Sequence, residues 1–164
     1  MSSTITPSAP LHNRIVLDLE ASPLEIWALV GDLSRFPEYS AGLEAVEATV
    51  DRAGTCTEYL CRFKAPEEGG EPILHREVMR WYEPGRGWAS VAEEPNAFGS
   101  SDSLTLVTVV ERDGGTRLTW DQYYEAADVD MLRGEFDRAL TDISQRLIER
   151  FGGTLLERYP EGED

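Results

Sequence analysis

Apolar and polar residues alternate at every second position through the middle of the chain and change to a spacing of three and four near its end. Six stretches carry the alternation: Glu44 to Val50, Thr55 to Phe63, Leu74 to Tyr82, Gly87 to Glu93, Ser103 to Arg112 and Thr116 to Glu125. They are rich in Val, Thr and aromatic residues and are bounded by turn formers, which is strand patterning. Arg14 to Glu20 alternates too, with Ile15, Leu17 and Leu19 on one face, for a total of about seven strands. From Val129 to Phe151 the period is helical, and Val129, Leu132, Phe136, Leu140, Ile143, Leu147 and Phe151 form one apolar stripe that ends at Gly152-Gly153. One helix cannot bury such a stripe alone. It must lie across a curved sheet made by the preceding residues, and that arrangement leaves a pocket.

Ala21-Ser22-Pro23-Leu24-Glu25 marks a helix start, with Ser22 as N-cap, Pro23 at the first helical position and Glu25 completing a capping box. That helix runs to Val30 and ends near Gly31; Ser34 caps a second short turn that Pro37 limits. The tight turns at 51–54, 84–85 and 113–115 alternate with longer loops at 65–72 and 94–102. In an antiparallel meander, both long loops then fall at the end where the long helix begins. Gly134, about 1 kcal/mol worse than Ala inside a helix, lies at the same end. The mouth of the pocket is therefore expected among 65–72, 94–102 and 131–135. Residues 1–12 read as a flexible arm, 13–153 as one α+β domain and 154–164 as an acidic tail.

Charge narrows the partners. With 31 Asp and Glu against 15 Lys and Arg, the formal charge is −16, which opposes phosphate backbones and anionic membrane surfaces; neither nucleic acid nor membrane insertion is expected. No apolar run approaches the roughly 20 residues of a membrane span, and the first ten residues do not resemble a signal peptide, so a cytoplasmic location is expected, as monomer or homodimer. Cys56 and Cys61 are five apart on one strand; strict alternation sends them to opposite faces, as free thiols. Lys64 is the only lysine, a bias typical of GC-rich bacterial genomes, and any Schiff base would have to use it. Spaced metal ligands, a Gly-x-Ser-x-Gly elbow and a glycine-rich phosphate loop are all missing from the text, so no metal and no cofactor are expected.

The segment from Leu19 to Pro37 (LEASPLEIWALVGDLSRFP), the later Gly114-Gly115-Thr116-Arg117-Leu118-Thr119-Trp120 and the order of elements resemble the START-like (SRPBCC) superfamily, within it the polyketide cyclase/dehydrase and lipid-transport group. The likeness covers about Asn13 to Gly152. It implies a helix-grip fold, a bent antiparallel sheet wrapped around the C-terminal helix, with a hydrophobic cavity between them that takes lipids, sterols, quinones, hormones or polyketides. Some members are enzymes and many are carriers. In the aromatase/cyclases of the group an Arg on the fourth strand acts on a polyketide chain delivered by a carrier protein, and Arg80 falls near the matching place. The Trp-rich run and Ser that adjoin it in those enzymes have no counterpart in this chain, so their catalytic set is not carried over whole.

The candidate chemistry lies on three strands. His75 and Glu77 share one face of a strand and would make an acid/base pair at a pocket wall. Arg76, Val78 and Arg80 occupy its other face, and only one of the two sets can line the cavity; the other belongs to the sheet surface. An inward arginine would need an anionic partner and would stabilise an enolate. Tyr59 and Tyr124 are candidate donors to ligand ketones, and Trp120, Gln122 and Tyr124 would form an aromatic wall with polar tips. Trp88 and the helix residues Leu132 and Phe136 complete the expected ligand-binding set, whereas Trp27 and Phe36 are assigned to packing. Two functions stay open: binding of a small, mostly hydrophobic, ring-bearing molecule by a polyketide cyclase/dehydratase, or by a non-enzymatic carrier or sensor of a lipid, quinone or natural product.

Overall fold

In the computed structural model, which describes residues 5–161, eight antiparallel strands form one sheet that bends around a single long helix. The elements are β1 (Leu11–Leu19), α1 (Pro23–Val30), a 3-10 helix (Leu33–Glu38), β2 (Leu43–Val50), β3 (Cys56–Phe63), β4 (Ile73–Glu83), β5 (Gly87–Ala92), β6 (Ser100–Arg112), β7 (Gly115–Ala126), α2 (Val129–Phe151) and β8 (Gly153–Tyr159). The sheet order is β2-β3-β4-β5-β6-β7-β1-β8, a meander whose far edge is completed by the first and last strands. This is the expected helix-grip arrangement, with α2 across the concave face. Residues 1–4 of the expected arm and 162–164 of the expected tail lie outside the described residues.

The strand count differs from the expectation by one. β8 occupies residues read as tail, and it pairs with β1. Five of its seven side chains are exposed, so it has no buried face and leaves no alternation for a reader to find. Gly152 and Gly153 make the reversal possible, at φ 77° and 136°, and a Cβ on Gly153 would collide with the Asp18 carbonyl.

Ser22 accepts a hydrogen bond from the Glu25 amide at 3.3 Å, the expected N-cap of α1. At the other end of α1, Trp88 Nε1 donates to the Val30 carbonyl at 2.9 Å and the Tyr82 hydroxyl donates to the Gly31 carbonyl at 2.7 Å. Two sheet aromatics thus satisfy carbonyls that a helix end leaves open. Along α2, Leu132, Leu140, Ile143 and Leu147 are buried. Burying each such side chain is worth about 1.5–3 kcal/mol. Polar ties hold the helix along its length: Asn13 Nδ2 donates to the Arg133 carbonyl (3.0 Å), Arg158 to Asp137 (2.6 Å), the Ala41 amide to Asp142 (2.9 Å), and Arg150 to Glu38 (3.1 Å).

Two register shifts change which side chains face inward. Between β2 and β3 the ladder slips next to Cys56, and Cys56 and Cys61 are both buried. Their expected placement on opposite faces is therefore corrected: one extra residue in the strand reverses the parity. Both remain free thiols. Between β4 and β5 the ladder skips Arg80, which bulges out of the pairing.

Candidate functional site

A cavity of about 410 Å³ lies between α2 and the concave face of the sheet. Its walls are mostly apolar: Leu132, Phe136, Leu140 and Ile143 from α2; Cys61 and Phe63 from β3; Trp120 from β7; Phe36 from the 3-10 helix and Phe98 from the loop between β5 and β6. The exposed members of its lining, Ala41 and Gly42 on one side and Glu135, Arg138 and Ala139 on the other, place the opening beside the middle of α2. The expected mouth is met in part. Phe98 and Ser100 of the second long loop region and Leu132 and Glu135 of the helix line the cavity, but the 65–72 loop contributes no lining residue. Ser40 to Leu43, the approach to β2, takes its place.

One wall is polar, and its groups are joined. His75 Nε2 lies 2.5 Å from Glu77 Oε2, Ser90 donates to Glu77 Oε1 at 2.8 Å, and Tyr59 Oη is 2.8 Å from Ser90 Oγ. All four residues are buried. The alternation of β4 places His75 and Glu77 together, β3 brings Tyr59 opposite Glu77, and β5 brings Ser90 into reach across the next ladder. Burial, reinforced by the charge of Glu77, pushes the Tyr59 hydroxyl well above its usual range and keeps it a donor. The same two causes raise the Cys61 thiol. Among the described residues, His75 Nδ1 is buried without a hydrogen-bond partner, and so is the hydroxyl of Tyr39, which stacks with Phe36.

The four residues expected to be catalytic separate. His75, Glu77 and Tyr59 meet in this network, but Arg80 is exposed on the outer side of the bulge. Arg76 and Val78 also face outward, and Arg76 is 3.4 Å from Glu58 and 3.9 Å from Glu93. The expectation that these three line the cavity is corrected: strand alternation admits one face only, and His75 and Glu77 hold it. Tyr59 lines the cavity as expected, and its hydroxyl is hydrogen-bonded to the Ser90 hydroxyl that donates to Glu77.

Trp120, Gln122, Leu132 and Phe136 line the cavity as expected, and Trp120 Nε1 donates to Gln122 Oε1 at 3.3 Å. Trp88 and Tyr124 do not line it. Trp88 is buried behind Tyr59 and Trp120 with its indole N–H on Val30, and Tyr124 donates its hydroxyl hydrogen to Asn13 Oδ1 at 2.7 Å while packing on Phe136. Both are structural because their polar tips were needed to satisfy buried backbone and amide groups. Sequence reasoning missed Ser90, Ser103, Thr105, Phe63 and Phe98, and placed Phe36 in packing alone. For Ser90 a signal existed: it shares strand parity with Trp88, an aromatic already assigned inward.

Among the described residues no helix is long and apolar enough to cross a membrane. The model of the family described as polyketide cyclase / dehydrase and lipid transport matches residues 14–153. No curated protein matches the chain. Among solved structures it is similar to a START superfamily protein from Mycobacterium smegmatis (TM-score 0.68, 13% identity, covering 85% of this chain and 97% of that one). It is similar also to the protein XoxI from Bacillus cereus (TM-score 0.66, 14% identity, 85% and 95%) and to a conserved protein from Geobacillus kaustophilus (TM-score 0.66, 13% identity, 90% and 100%). At those identities the likeness is one of fold. With the family match spanning nearly the whole folded region and the helix-grip architecture in place, the chain belongs to the polyketide cyclase/dehydrase and lipid-transport family.

Proposed function

We propose that the cavity binds a small, mostly apolar, ring-bearing molecule and that His75, held by Glu77, moves a proton on a carbonyl compound folded inside it, as a polyketide cyclase or dehydratase requires. The observation that carries this reading is a connected polar wall in an otherwise apolar cavity, ending in an imidazole nitrogen with no partner. His75 Nδ1 takes a proton from the carbon beside a ketone, and the electron pair of that C–H bond moves to the ketone oxygen as an enolate. The resulting imidazolium is stabilised by the Glu77 carboxylate. Its proton then goes to the oxygen formed when the enolate carbon attacks a second ketone, or to a departing β-hydroxyl that leaves as water. With Arg76 and Arg80 outside, the enolate depends on the imidazolium and on the hydroxyl and amide groups of Ser103, Thr105 and Gln122, which line the same cavity. A chain presented by a carrier protein would enter past Ala41, Gly42 and Ala139.

The mainly apolar lining favours a second reading, a carrier or sensor of a lipid, quinone or natural product, for which shape and one polar anchor suffice. Hydrogen–deuterium exchange at the acidic carbon of β-tetralone separates the two. The enzymatic reading expects the protein to accelerate exchange and His75→Asn to abolish the acceleration. Binding of β-tetralone with no acceleration by the unaltered protein leaves the carrier reading, which expects a ligand retained through purification and visible by native mass spectrometry.

A further inference from the structure

The hydrogens of the buried network run in one direction. Ser90 has a single hydroxyl hydrogen and gives it to Glu77 Oε1, so at the 2.8 Å contact between Tyr59 and Ser90 the tyrosine is the donor. The other carboxylate oxygen receives the Nε2–H of His75. In the neutral imidazole that sets the tautomer: Nδ1 carries a lone pair, and among the described residues it is the one polar side-chain atom of the network without a partner. Its neighbours are aromatic. The Phe98 ring lies 5.1 Å from the imidazole and the Phe63 ring 6.3 Å, centroid to centroid, and neither has a hydrogen-bonding group. Phe63 is anchored in β3, whereas Phe98 belongs to the loop between β5 and β6, so a ligand reaches Nδ1 by displacing Phe98.

We propose that Nδ1 of His75 is the acceptor for the hydroxyl of a flat enol or phenol, so that the site recognises the enolic or phenolic form of its ligand in preference to the parent hydrocarbon or an ether. A buried acceptor with no partner penalises every ligand that cannot supply a hydrogen, and that penalty is the source of the selectivity. Discrimination thus resides in one nitrogen whose tautomer is set by Glu77, with Ser90 and Tyr59 as positioning residues behind it. The inference rests on the reading that the cavity holds a ring-bearing ligand, and it adds which functional group that ligand must carry and where.

The test uses β-naphthol, β-methoxynaphthalene and naphthalene with the full chain, by calorimetric titration, together with ¹⁵N spectra of ring-labelled histidine. The chain has 2 histidines, so the His75 signals are readily separated. β-Naphthol is expected to bind roughly tenfold more tightly than the other two, the worth of one hydrogen bond to a buried acceptor. The Nδ1 resonance of His75 should move with β-naphthol and stay in place with naphthalene. In His75→Asn the three affinities should converge. Equal binding of all three probes by the unaltered protein, a preference for the ether, or tight naphthol binding with Nδ1 unmoved overturns the inference and leaves the cavity reading intact. Failure of all three to bind overturns both.

Discussion

Glu77 holds the imidazole of His75 at 2.5 Å in a place where the two residues are only 5% and 9% exposed. Ser90 and Tyr59 support that carboxylate from the other side, and the pair is the polar end of a cavity otherwise walled by apolar and aromatic groups. The network therefore carries both stability and function, and the two can be separated by mutation.

Ser90→Ala removes the middle link and leaves Glu77 Oε1 and the Tyr59 hydroxyl without partners. It should cost about 2 kcal/mol in urea unfolding. Tyr59→Phe, which leaves the Ser90–Glu77 bond intact, should cost less, about 1 kcal/mol. The reverse order would show that the chain of donors does not run as described.

Two buried tyrosines make opposite predictions. The Tyr39 hydroxyl has no partner, so Tyr39→Phe keeps the stacking on Phe36 and should be neutral or stabilising by up to about 1 kcal/mol. Tyr124→Phe leaves the Asn13 Oδ1 acceptor empty and should destabilise by about 1–2 kcal/mol. Thermal melts of both variants decide the matter, and destabilisation by Tyr39→Phe contradicts it.

Arg76→Ala and Arg80→Ala change groups outside the cavity. Stability should shift by no more than about 0.5 kcal/mol, and naphthalene affinity should be unchanged. A severalfold loss of binding in either variant would return an arginine to the site.

Acid sensitivity should show at the junction of the 3-10 helix and α2. Arg35, and then Arg150, draw the Glu38 carboxyl down from its ordinary range to about 2. A depressed folded-state value stabilises the fold above the ordinary carboxylate range, and that contribution is lost as pH falls from about 4.5 toward 2. Because the pair is solvated, its worth is below about 1 kcal/mol. Glu38→Gln should flatten the stability profile across that interval and lower stability near neutrality by the same small amount, with the two proteins converging in acid.

Burial raises the Cys56 thiol to about 11 and pushes Cys61 higher still. Neither forms thiolate readily at neutral pH, so a disulfide reagent should label the folded protein slowly and the urea-unfolded protein at once. Rapid labelling of either thiol under native conditions would show that the inner face opens far more easily than its packing implies.

The architecture was legible because its elements have one buried face and one exposed face. Ser22-Pro23 and the stripe from Leu132 to Leu147 announced both helices, and alternation announced seven of the eight strands. β8 was hidden because its side chains stay in solvent. In the site, the pairing of His75 with Glu77 was readable from their separation of two, but which face of β4 turns inward depends on the sheet's curvature, a property of the whole meander. Cys56 was misplaced by a single extra residue in its ladder, which alternation cannot register, whereas Arg80 was brought to the cavity by the family likeness, against an alternation that sets it on the face opposite His75 and Glu77. Ser90 was readable as inward from its parity with Trp88, but its bond to Glu77 appeared only when β5 was laid beside β4.

The most direct test of the central claim is a crystal structure of the protein grown with β-naphthol. The account predicts the naphthalene rings between α2 and the sheet, against Trp120 and Phe136, with the hydroxyl on Nδ1 of His75 and Phe98 displaced. Rings bound elsewhere, or lodged in the cavity with the hydroxyl turned to the rim at Arg138, would contradict it.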